Sequence, residues 1–358
     1  MNPSPDFWAG RRVLLTGHTG FKGTWLALWL QRLGADLTGL ALAPPAGPNL
    51  FEAAEAAAGM RSVIQDVRDA DGVAAVFAEA RPEIVIHMAA QPLVLASYAD
   101  PIGTYATNVM GTVHLFEAAR RAEGLRALVN VTTDKCYEDG GRPGGCREDD
   151  PMGGHDPYSS SKGCSELVTA AYRRSFLAAR GANLASARAG NVVGGGDWAA
   201  DRVVPDLLRA FAAGAPASIR RPAAVRPWQH VLEPLSGYLL LAERLCGPDG
   251  AAFAEGWNFG PDPADIRPVA AIADGLAARW GAGARWERDA RAQPHEADLL
   301  TLDIGKARAR LGWAPRWSLD ATLDRVHGWH RAWRDGAPAA GLCRAQIEDY
   351  EAAAGSER

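Results

Sequence analysis

A tyrosine and a lysine four residues apart could transfer protons in this chain. Tyr158 and Lys162 belong to the segment YSSSK, at the start of a predicted helix. Residues four apart share one face of a helix, so the phenol and the ammonium are predicted to lie side by side. A neighbouring ammonium favours the phenolate, which would let Tyr158 accept and donate a proton near neutral pH. Because Y-x-x-x-K alone occurs often by chance, the interpretation depends on the segments that precede it.

A second polar group, TTDK at 132–135, ends a predicted strand upstream of the tyrosine. In an open parallel sheet, ligands bind beyond the carboxyl ends of the strands. Thr133 and Asp134 are therefore predicted to face a substrate together with Tyr158.

A glycine-rich turn, TGHTGFKG at 16–23, separates the first predicted strand from the first long helix. Gly17 permits the tight turn, Gly20 lets the backbone approach a pyrophosphate, and Gly23 allows close packing of helix and strand. The helix N-terminus then offers N–H groups and positive dipole to an anion. The turn therefore predicts dinucleotide binding.

The acidic residue that usually binds the ribose of NAD, ~20 positions after the turn, is missing. The second predicted strand ends in LALA at 40–43, with neither acid nor arginine. This rule therefore does not separate NAD from NADP. Asp66, after the third predicted strand, is predicted to contact the adenine side, with a surface carboxylate as the alternative.

Strands and helices alternate through the first half of the chain. The predicted strands cover 12–16, 37–42, 61–65, 83–87, 127–132 and 183–188, and the predicted helices cover 21–33, 69–80, 101–122 and 157–180. Strands separated by helices indicate parallel pairing through right-handed crossovers. The sequence therefore predicts an α/β fold with a Rossmann-type doubly wound parallel sheet.

The alternation ends after about Gly190, where short helices are interrupted by many Pro and Gly. We predict a dinucleotide-binding domain over 1–190, to which later segments could return. A smaller α+β lobe that binds the substrate is predicted over 191–335, followed by a loose tail over 336–358.

The composition argues against several classes of protein. The chain has 358 residues, with 38 Lys and Arg against 42 Asp and Glu and a net charge of −4; no nucleic acid partner is expected. No apolar run approaches the ~20 residues of a membrane span, and the N-terminus lacks a secretory pattern. Five irregularly spaced cysteines predict reduced thiols in the cytoplasm. His230 and the His327/His330 pair lack ligand companions, so no metal site is expected.

Four further motifs accompany the glycine turn and YSSSK, namely HMAAQP at 87–92, TNVMGT at 107–112, RAGNVVGGGDW at 188–198 and RPWQHV at 226–231. Together with TTDKCY at 132–137 they resemble the extended short-chain dehydrogenase/reductase family, in particular its nucleotide-sugar 4,6-dehydratases. The resemblance extends over almost the whole chain to about Trp333. It is most specific to the branch of the family that acts on CDP-glucose.

The resemblance implies NAD as cofactor and CDP-glucose as substrate, with a 4-keto-6-deoxy sugar as product. Tyr158 would take the proton of the sugar 4-OH, Thr133 would hydrogen-bond the same oxygen, and Lys162 would bind the nicotinamide ribose. Asp134 would be the acid for loss of water across C5–C6. The cofactor-binding residues that the resemblance implies are Gly17, Gly20, Phe21, Lys22, Gly23, Asp66, Val67, Ala89, Ala90, Gln91, Asn108, Thr132, Tyr158 and Lys162.

The base at C5 is left open, because Lys135 occupies the position that holds a glutamate in related dehydratases. Lys135 would have to be neutral to act as this base; otherwise it only holds charge and another group takes the proton. A nucleotide-sugar 4-epimerase or reductase would use the same threonine, tyrosine and lysine without an acid at O6. A non-catalytic dinucleotide sensor is a third hypothesis, although it would not need a tuned phenol.

The resemblance also implies contacts to the substrate. Asn191 and Arg226 would bind its pyrophosphate, with an interdomain salt bridge as the alternative for Arg226. Arg202 and Glu296 could reach the nucleotide, with surface charge as the alternative for each. A homodimer is expected through the helices over 101–122 and 157–180, whose apolar faces would equally suit packing on the sheet. The apolar residues of these faces are Val109, Val113, Phe116, Leu167 and Ala171.

Overall fold

The computed structural model describes residues 1–138, 144–281, 283–291 and 298–353. Its strands are β1 Arg12–Thr16, β2 Asp36–Ala41, β3 Arg61–Ile64, β4 Ile84–His87, β5 Ala127–Val131, β6 Asn183–Ala189, β7 Asn191–Val193, β8 Ala217–Ile219, β9 Val225–His230, β10 Gly256–Phe259, β11 Ile266–Pro268 and β12 Trp286–Arg288. Its helices are α1 Pro5–Trp8, α2 Phe21–Arg32, α3 Leu50–Ala53, α4 Ala70–Ala80, α5 Val94–Ala99, α6 Pro101–Tyr105, α7 Gly111–Ala119, α8 Pro157–Tyr172, α9 Val203–Ala212, α10 Leu232–Cys246, α11 Val269–Trp280, α12 Leu319–Arg334 and α13 Ala339–Ala352.

Within the described residues, seven of these strands form one parallel sheet in the order β10-β6-β5-β4-β1-β2-β3. The strand order reverses between β1 and β4, and in such sheets the carboxyl ends at the reversal flank a ligand crevice. The predicted doubly wound sheet is confirmed. β10 returns to it from the second half of the chain, as the sequence analysis allowed.

The central strands are apolar at consecutive positions because both faces of the sheet are covered. Ile84 and Ile86 pack into the core on one face, whereas Val85 packs with Leu14 into a second core on the other face. All four side chains are buried. The sheet is thereby fixed from both sides, and its carboxyl edge is a rigid base for a site.

Helix α8 starts where it does because two residues favour a helix N-terminus. Asp156 is the N-cap and accepts a hydrogen bond from the backbone N–H of Ser159 at 2.9 Å, and Pro157 occupies the first helical position. Proline is tolerated there because an N–H at the first helical position would have no hydrogen-bond acceptor within the helix. Tyr158 is consequently placed in the first turn.

Both long helices expected from the sequence are interrupted. Over 101–122, α6 and α7 are joined by the π-helical turn Ala106–Met110, and α8 continues into a π-helical turn at Arg173–Leu177 and a 3₁₀ turn at Ala178–Arg180. A π turn adds a residue to the helix and rotates the faces that follow. Residues on either side of such a turn therefore do not share the face that a regular period predicts.

The second lobe contains two small sheets, β11-β9-β7 and β12-β8. The expectation of a loose tail after Asp335 is wrong for its described part, 336–353, because α13 packs against the first half of the chain. Ile347 and Tyr350 are buried in the main core, and the Tyr350 ring contacts that of Trp29 on α2. The alanine-rich sequence of α13 concealed this apolar face.

No helix among the described residues is long and apolar enough to cross a membrane. The same part of the chain shows no group of three or more His, Cys, Asp or Glu side chains arranged to hold a metal ion.

Candidate active site

A cavity of about 700 Å³ opens at the carboxyl edge of the sheet and extends between the two lobes. It brings together residues that are far apart in the sequence. The predicted site residues that line it are Gly17, Gly20, Phe21, Lys22, Gly23, Asp66, Val67, Ala89, Ala90, Gln91, Thr132, Thr133, Asp134, Lys135, Tyr158, Lys162, Asn191, Arg202 and Arg226. Glu296 lies outside the described residues.

The glycine turn forms one wall of this cavity. At two of its positions only glycine fits, because a side chain would collide with neighbouring backbone atoms. Gly17 has φ +77°, and a Cβ there would lie 2.8 Å from the backbone nitrogen of Ala89. A Cβ on Gly23 would lie 2.0 Å from the Gly17 carbonyl oxygen. Gly20 caps α2 without a side-chain hydrogen bond. The first N–H groups of α2 are thus left for a ligand, as an anion site requires.

The end of the cavity near β2 and β3 lacks a carboxylate at the position where one commonly binds the ribose of a dinucleotide. Leu42 occupies this position after β2, and its side chain is exposed. Asp66 lies in the cavity wall, and its carboxylate accepts a hydrogen bond from Arg68 Nη2 at 2.6 Å. The hydrogen bonds from Arg68 lower the pKa of Asp66. A contact between Asp66 and adenine stays a prediction.

Asn108 does not line the cavity. Its Oδ1 accepts a hydrogen bond from the Gln91 backbone N–H at 2.8 Å, and its Nδ2 donates to the Gln91 carbonyl at 3.1 Å and to Ser161 Oγ at 2.9 Å. It therefore holds the loop after β4 against α8, which differs from the direct cofactor contact expected from the sequence.

Tyr158 lies buried in the cavity wall, which Thr133 also lines. Burial raises the pKa of Tyr158 to about 12, although Thr133 and Arg202 oppose the shift; Asp134 contributes to it. A role of Lys162 in favouring the phenolate stays a prediction.

Lys162 is buried on the same face of α8 and donates a hydrogen bond to the Val131 carbonyl at 3.2 Å. Burial lowers the pKa of Lys162 to about 8. The side chain bridges from α8 to the end of β5, and its contact with Val131 fixes the helix to the strand that carries the polar segment 132–135.

Asp134 is the buried carboxyl group of the site. Its Oδ1 accepts a hydrogen bond from Thr133 Oγ1 at 2.9 Å, and Oδ2 is buried without a hydrogen-bond partner among the described residues. Burial raises the pKa of Asp134, although Lys135 and Arg226 oppose the shift. A buried carboxyl with one unused oxygen in a cavity is suited to donate a proton to a ligand.

Lys22, in the first turn of α2, extends its side chain to the second half of the chain. Its Nζ donates to the phenol oxygen of Tyr238 on α10 at 2.7 Å and lies 4.7 Å from the centre of that ring. Burial, with Lys162 and Arg202 nearby, lowers the pKa of Lys22 to about 7. The Lys22 side chain thus contacts α10, and a pyrophosphate contact stays a prediction.

The part of the cavity in the second lobe is lined by arginines. Arg226 is buried and donates from Nη1 to the Val225 carbonyl at 2.9 Å, and Arg202 pairs with the buried Asp197 at 3.5 Å. Arg220 and Arg221 also line the cavity and were missed by the sequence analysis. Guanidinium groups bind phosphate through several donors, so this end suits a diphosphate.

Comparison with known proteins agrees with this geometry. The model of the NAD dependent epimerase/dehydratase family matches residues 13–252. The chain belongs to this family. It is also 52% identical over 353 residues to a CDP-glucose 4,6-dehydratase from Salmonella typhimurium, an alignment that covers 97% of this chain and 98% of that protein. The family resemblance given by the motifs is confirmed.

Solved structures of the NAD dependent epimerase/dehydratase family share the fold. An epimerase from Methanothermobacter thermautotrophicus matches with a TM-score of 0.79 at 22% identity, covering 92% of this chain and 95% of that chain. A UDP-glucose 4-epimerase from Thermotoga maritima matches with a TM-score of 0.77 at 22% identity, covering 90% and 99% respectively.

NAD is the cofactor of the epimerase/dehydratase family, and the cavity fits it. The backbone cradle at Gly17 and Gly23 is closed to any side chain, and the uncapped start of α2 suits its pyrophosphate. Lys162 and Tyr158 line the same cavity.

Proposed function

We propose that this protein converts CDP-glucose to CDP-4-keto-6-deoxyglucose, as a hydro-lyase of deoxysugar biosynthesis. The observation that carries the proposal is the identity of 52% with a CDP-glucose 4,6-dehydratase over almost the full length of both chains. The cavity supports it, because a buried carboxyl, Asp134, stands beside the phenol and lysine that serve hydride chemistry. An epimerase or reductase has no use for an acid at that place.

In the proposed reaction Tyr158 accepts the proton of the sugar 4-OH, and Thr133 hydrogen-bonds the same oxygen. NAD held by the glycine turn and Lys162 would supply the hydride acceptor for C4 and the hydride donor for C6, so the reaction would have no net redox change. Lys162 holds the nicotinamide ribose and keeps its positive charge near Tyr158. The position of Thr133 and Tyr158 supports these roles, because both side chains line one cavity and Thr133 lowers the pKa of the phenol.

Loss of water needs an acid at O6 and a base at C5. Asp134 is the proposed acid, because burial raises its pKa and leaves Oδ2 unpaired among the described residues. Lys135 is the candidate for the base: it follows Asp134 in a 3₁₀ turn, Asp134–Cys136, and borders the cavity. The C4 ketone makes the C5 proton acidic enough for such a base.

We assign the CDP moiety to the arginine-lined end of the cavity, with Asn191 and Arg226 near its pyrophosphate and Arg202 near the nucleotide. Support comes from the burial of Arg226 and from the two further arginines, Arg220 and Arg221, in the same wall. A charged diphosphate would offset the repulsion between these guanidinium groups.

An assay in D₂O tests the function. The purified protein, CDP-glucose and catalytic NAD⁺ are expected to give a 4-keto sugar, seen by its absorbance in alkali, and a mass that shows loss of one water. One solvent deuteron should appear at C5, with no net NADH. Recovery of an intact hexose, epimerised or oxidised, would contradict the dehydratase. If CDP-glucose is not consumed, turnover of a GDP-, dTDP- or UDP-sugar would correct the nucleotide.

We propose a homodimer through α6 and α8, whose outer faces expose large apolar side chains. Ile102 on α6 is 82% exposed and Leu167 on α8 is 62% exposed, and Met110, in the π turn that follows α6, is 47% exposed. Exposed apolar groups on adjoining helices are typical of an interface. Phe116, expected in this interface, is instead fully buried against the sheet, because the π turn before α7 changes which residues face outward.

The variant I102E/L167E is expected to be a monomer, because two carboxylates would be buried without partners in the interface. Light scattering with size-exclusion chromatography measures the mass. I64E, which places a charge on the exposed Ile64 of β3, should keep the wild-type mass. A dimeric I102E/L167E protein would show that another surface pairs the copies.

We propose the cytoplasm as its location, where its thiols would stay reduced. The five cysteines are thiols, and four of them are buried. Disulfide-free chains of this kind suit a reducing compartment.

A further inference from the structure

Glu166 lies on α8 four residues after Lys162 and is buried without lining the cavity. Its Oε1 accepts hydrogen bonds from Thr132 Oγ1 and from Arg188 Nε, the latter at 3.0 Å. Its Oε2 accepts from Ser186 Oγ at 2.6 Å and from Arg188 Nη2 at 2.8 Å. A buried charge is tolerated only when it is paired and hydrogen-bonded, and Glu166 meets both conditions.

Arg188 extends this network to Tyr137, which follows the segment 133–135 that carries the proposed catalytic residues. Its Nη1 donates to Tyr137 Oη at 2.7 Å, and the guanidinium carbon lies 5.1 Å from the centre of the Tyr137 ring. Tyr137 Oη in turn donates to Asn258 Oδ1 at 2.7 Å. Thr132 and Tyr137 are thus both bonded to one buried ion pair, and they flank the catalytic segment 133–135.

We propose that the Glu166–Arg188 pair is a positioning unit, which holds the catalytic segment 133–135 by both ends against the helix that carries Tyr158 and Lys162. The pair does not touch the cavity, so it acts through these residues. The inference rests on the proposed function, which assigns the segment and the helix residues to the reaction. Orientation matters at this scale, because a displacement of about 1 Å can reduce the rate of a reaction on the order of 10²-fold.

The pair also sets the charge around Lys162. Glu166 opposes the lowering of the Lys162 pKa by burial. From other elements Lys162 is faced by Cys136, by His87 on β4 and by Lys22 on α2. Burial raises the pKa of the Cys136 thiol and lowers the pKa of His87 to about 3, so both are neutral near pH 7. Glu166 is therefore the carboxylate that favours the protonated form of Lys162.

The double variant E166Q/R188M tests the proposal, with E166Q alone beside it. A single substitution leaves one buried charge without its partner and threatens folding, whereas the double variant removes both charges. With CDP-glucose and NAD⁺, we expect kcat to fall on the order of 10²-fold while the KM for CDP-glucose changes little. Loss of Glu166 lowers the pKa of Lys162, so the alkaline limb of the pH profile should move to lower pH by about one unit in E166Q. The limb should move in the same direction by a smaller step in the double variant, because loss of the Arg188 cation acts in the opposite direction.

A second measurement follows cofactor binding and does not require CDP-glucose. NADH binding, followed by its fluorescence as a function of pH, should show the same shift of the alkaline limb in the double variant. If wild-type protein does not turn over CDP-glucose but this shift appears, the proposed substrate is wrong and the positioning role stands. The control is E233Q, since Glu233 is equally buried, accepts a hydrogen bond from Tyr350 Oη at 2.6 Å and lies outside the cavity.

E233Q is expected to lower the melting temperature without moving the alkaline limb. Two results would overturn the positioning role. One is a double variant in which the NADH-binding limb does not move, whatever its turnover. The other is a shift in E233Q as large as that in the double variant, because the effect would then follow from destabilisation alone.

Discussion

Replacing Asp134 by asparagine is expected to stop the reaction after oxidation at C4. The phenol and lysine that serve that step are unchanged in D134N, but asparagine cannot donate the proton that O6 needs to leave as water. Formation of the 4-keto-6-deoxy product should fall ~10²–10⁴-fold, the range found for removal of a general acid or base. With stoichiometric NAD⁺, NADH should accumulate together with a 4-keto hexose that retains its 6-OH. Absorbance at the NADH band and the mass of the sugar nucleotide measure the two.

The pH dependence follows from the same residue. Asp134 acts as an acid only while it is protonated, and burial raises its pKa. Water loss should therefore persist to higher pH than an exposed aspartate would allow, and then decline as the pH rises through the Asp134 pKa. Asp324, an exposed aspartate on α12 that pairs with Arg279, supplies the control D324N, which should behave as wild type. Wild-type product formation by D134N would remove Asp134 from the reaction.

The sheet could be predicted because its signals are local. Each central strand is a short apolar run, buried on both faces, and each crossover begins with a recognisable cap such as Asp156 or the turn at Gly17. These features act over a few residues, so reading along the chain recovers them. The place of the segment 133–135 in the cavity could be predicted for the same reason, because a polar run at the end of a parallel strand lies at the ligand edge of the sheet.

The contacts that tune the site could not be predicted because they join residues distant in sequence. Lys22 meets Tyr238 across 216 positions, and no spacing rule connects a glycine turn to a helix in the second half of the chain. The same holds for the packing of α13 on Trp29. Glu166 is an exception among these distant contacts. It follows Lys162 by four residues, as Lys162 follows Tyr158, and this repeated spacing predicts that all three side chains lie on one face of the helix.

Removal of the Tyr158 hydroxyl is expected to have a broader effect than the loss of Asp134. In Y158F no group accepts the proton of the 4-OH, so oxidation at C4 should fall ~10²–10⁴-fold, and elimination cannot follow because the ketone never forms. Since burial holds the pKa of Tyr158 at about 12, the wild-type rate of this step should rise with pH until Lys162 loses its proton, and Y158F should lose the rising limb. Single-turnover formation of NADH, measured against pH, tests both.

The matched control is Tyr172→Phe, on the same helix, where the phenol donates to Glu117 Oε1 at 2.7 Å and does not line the cavity. It should keep the wild-type rate, and both variants should bind NADH as wild type does. The two main variants then separate the steps: D134N forms NADH without product, whereas Y158F forms neither. NADH formation by Y158F at the wild-type rate would mean that the proton of the 4-OH leaves through another group, and Thr133 and Tyr158 would be reduced to holding the sugar.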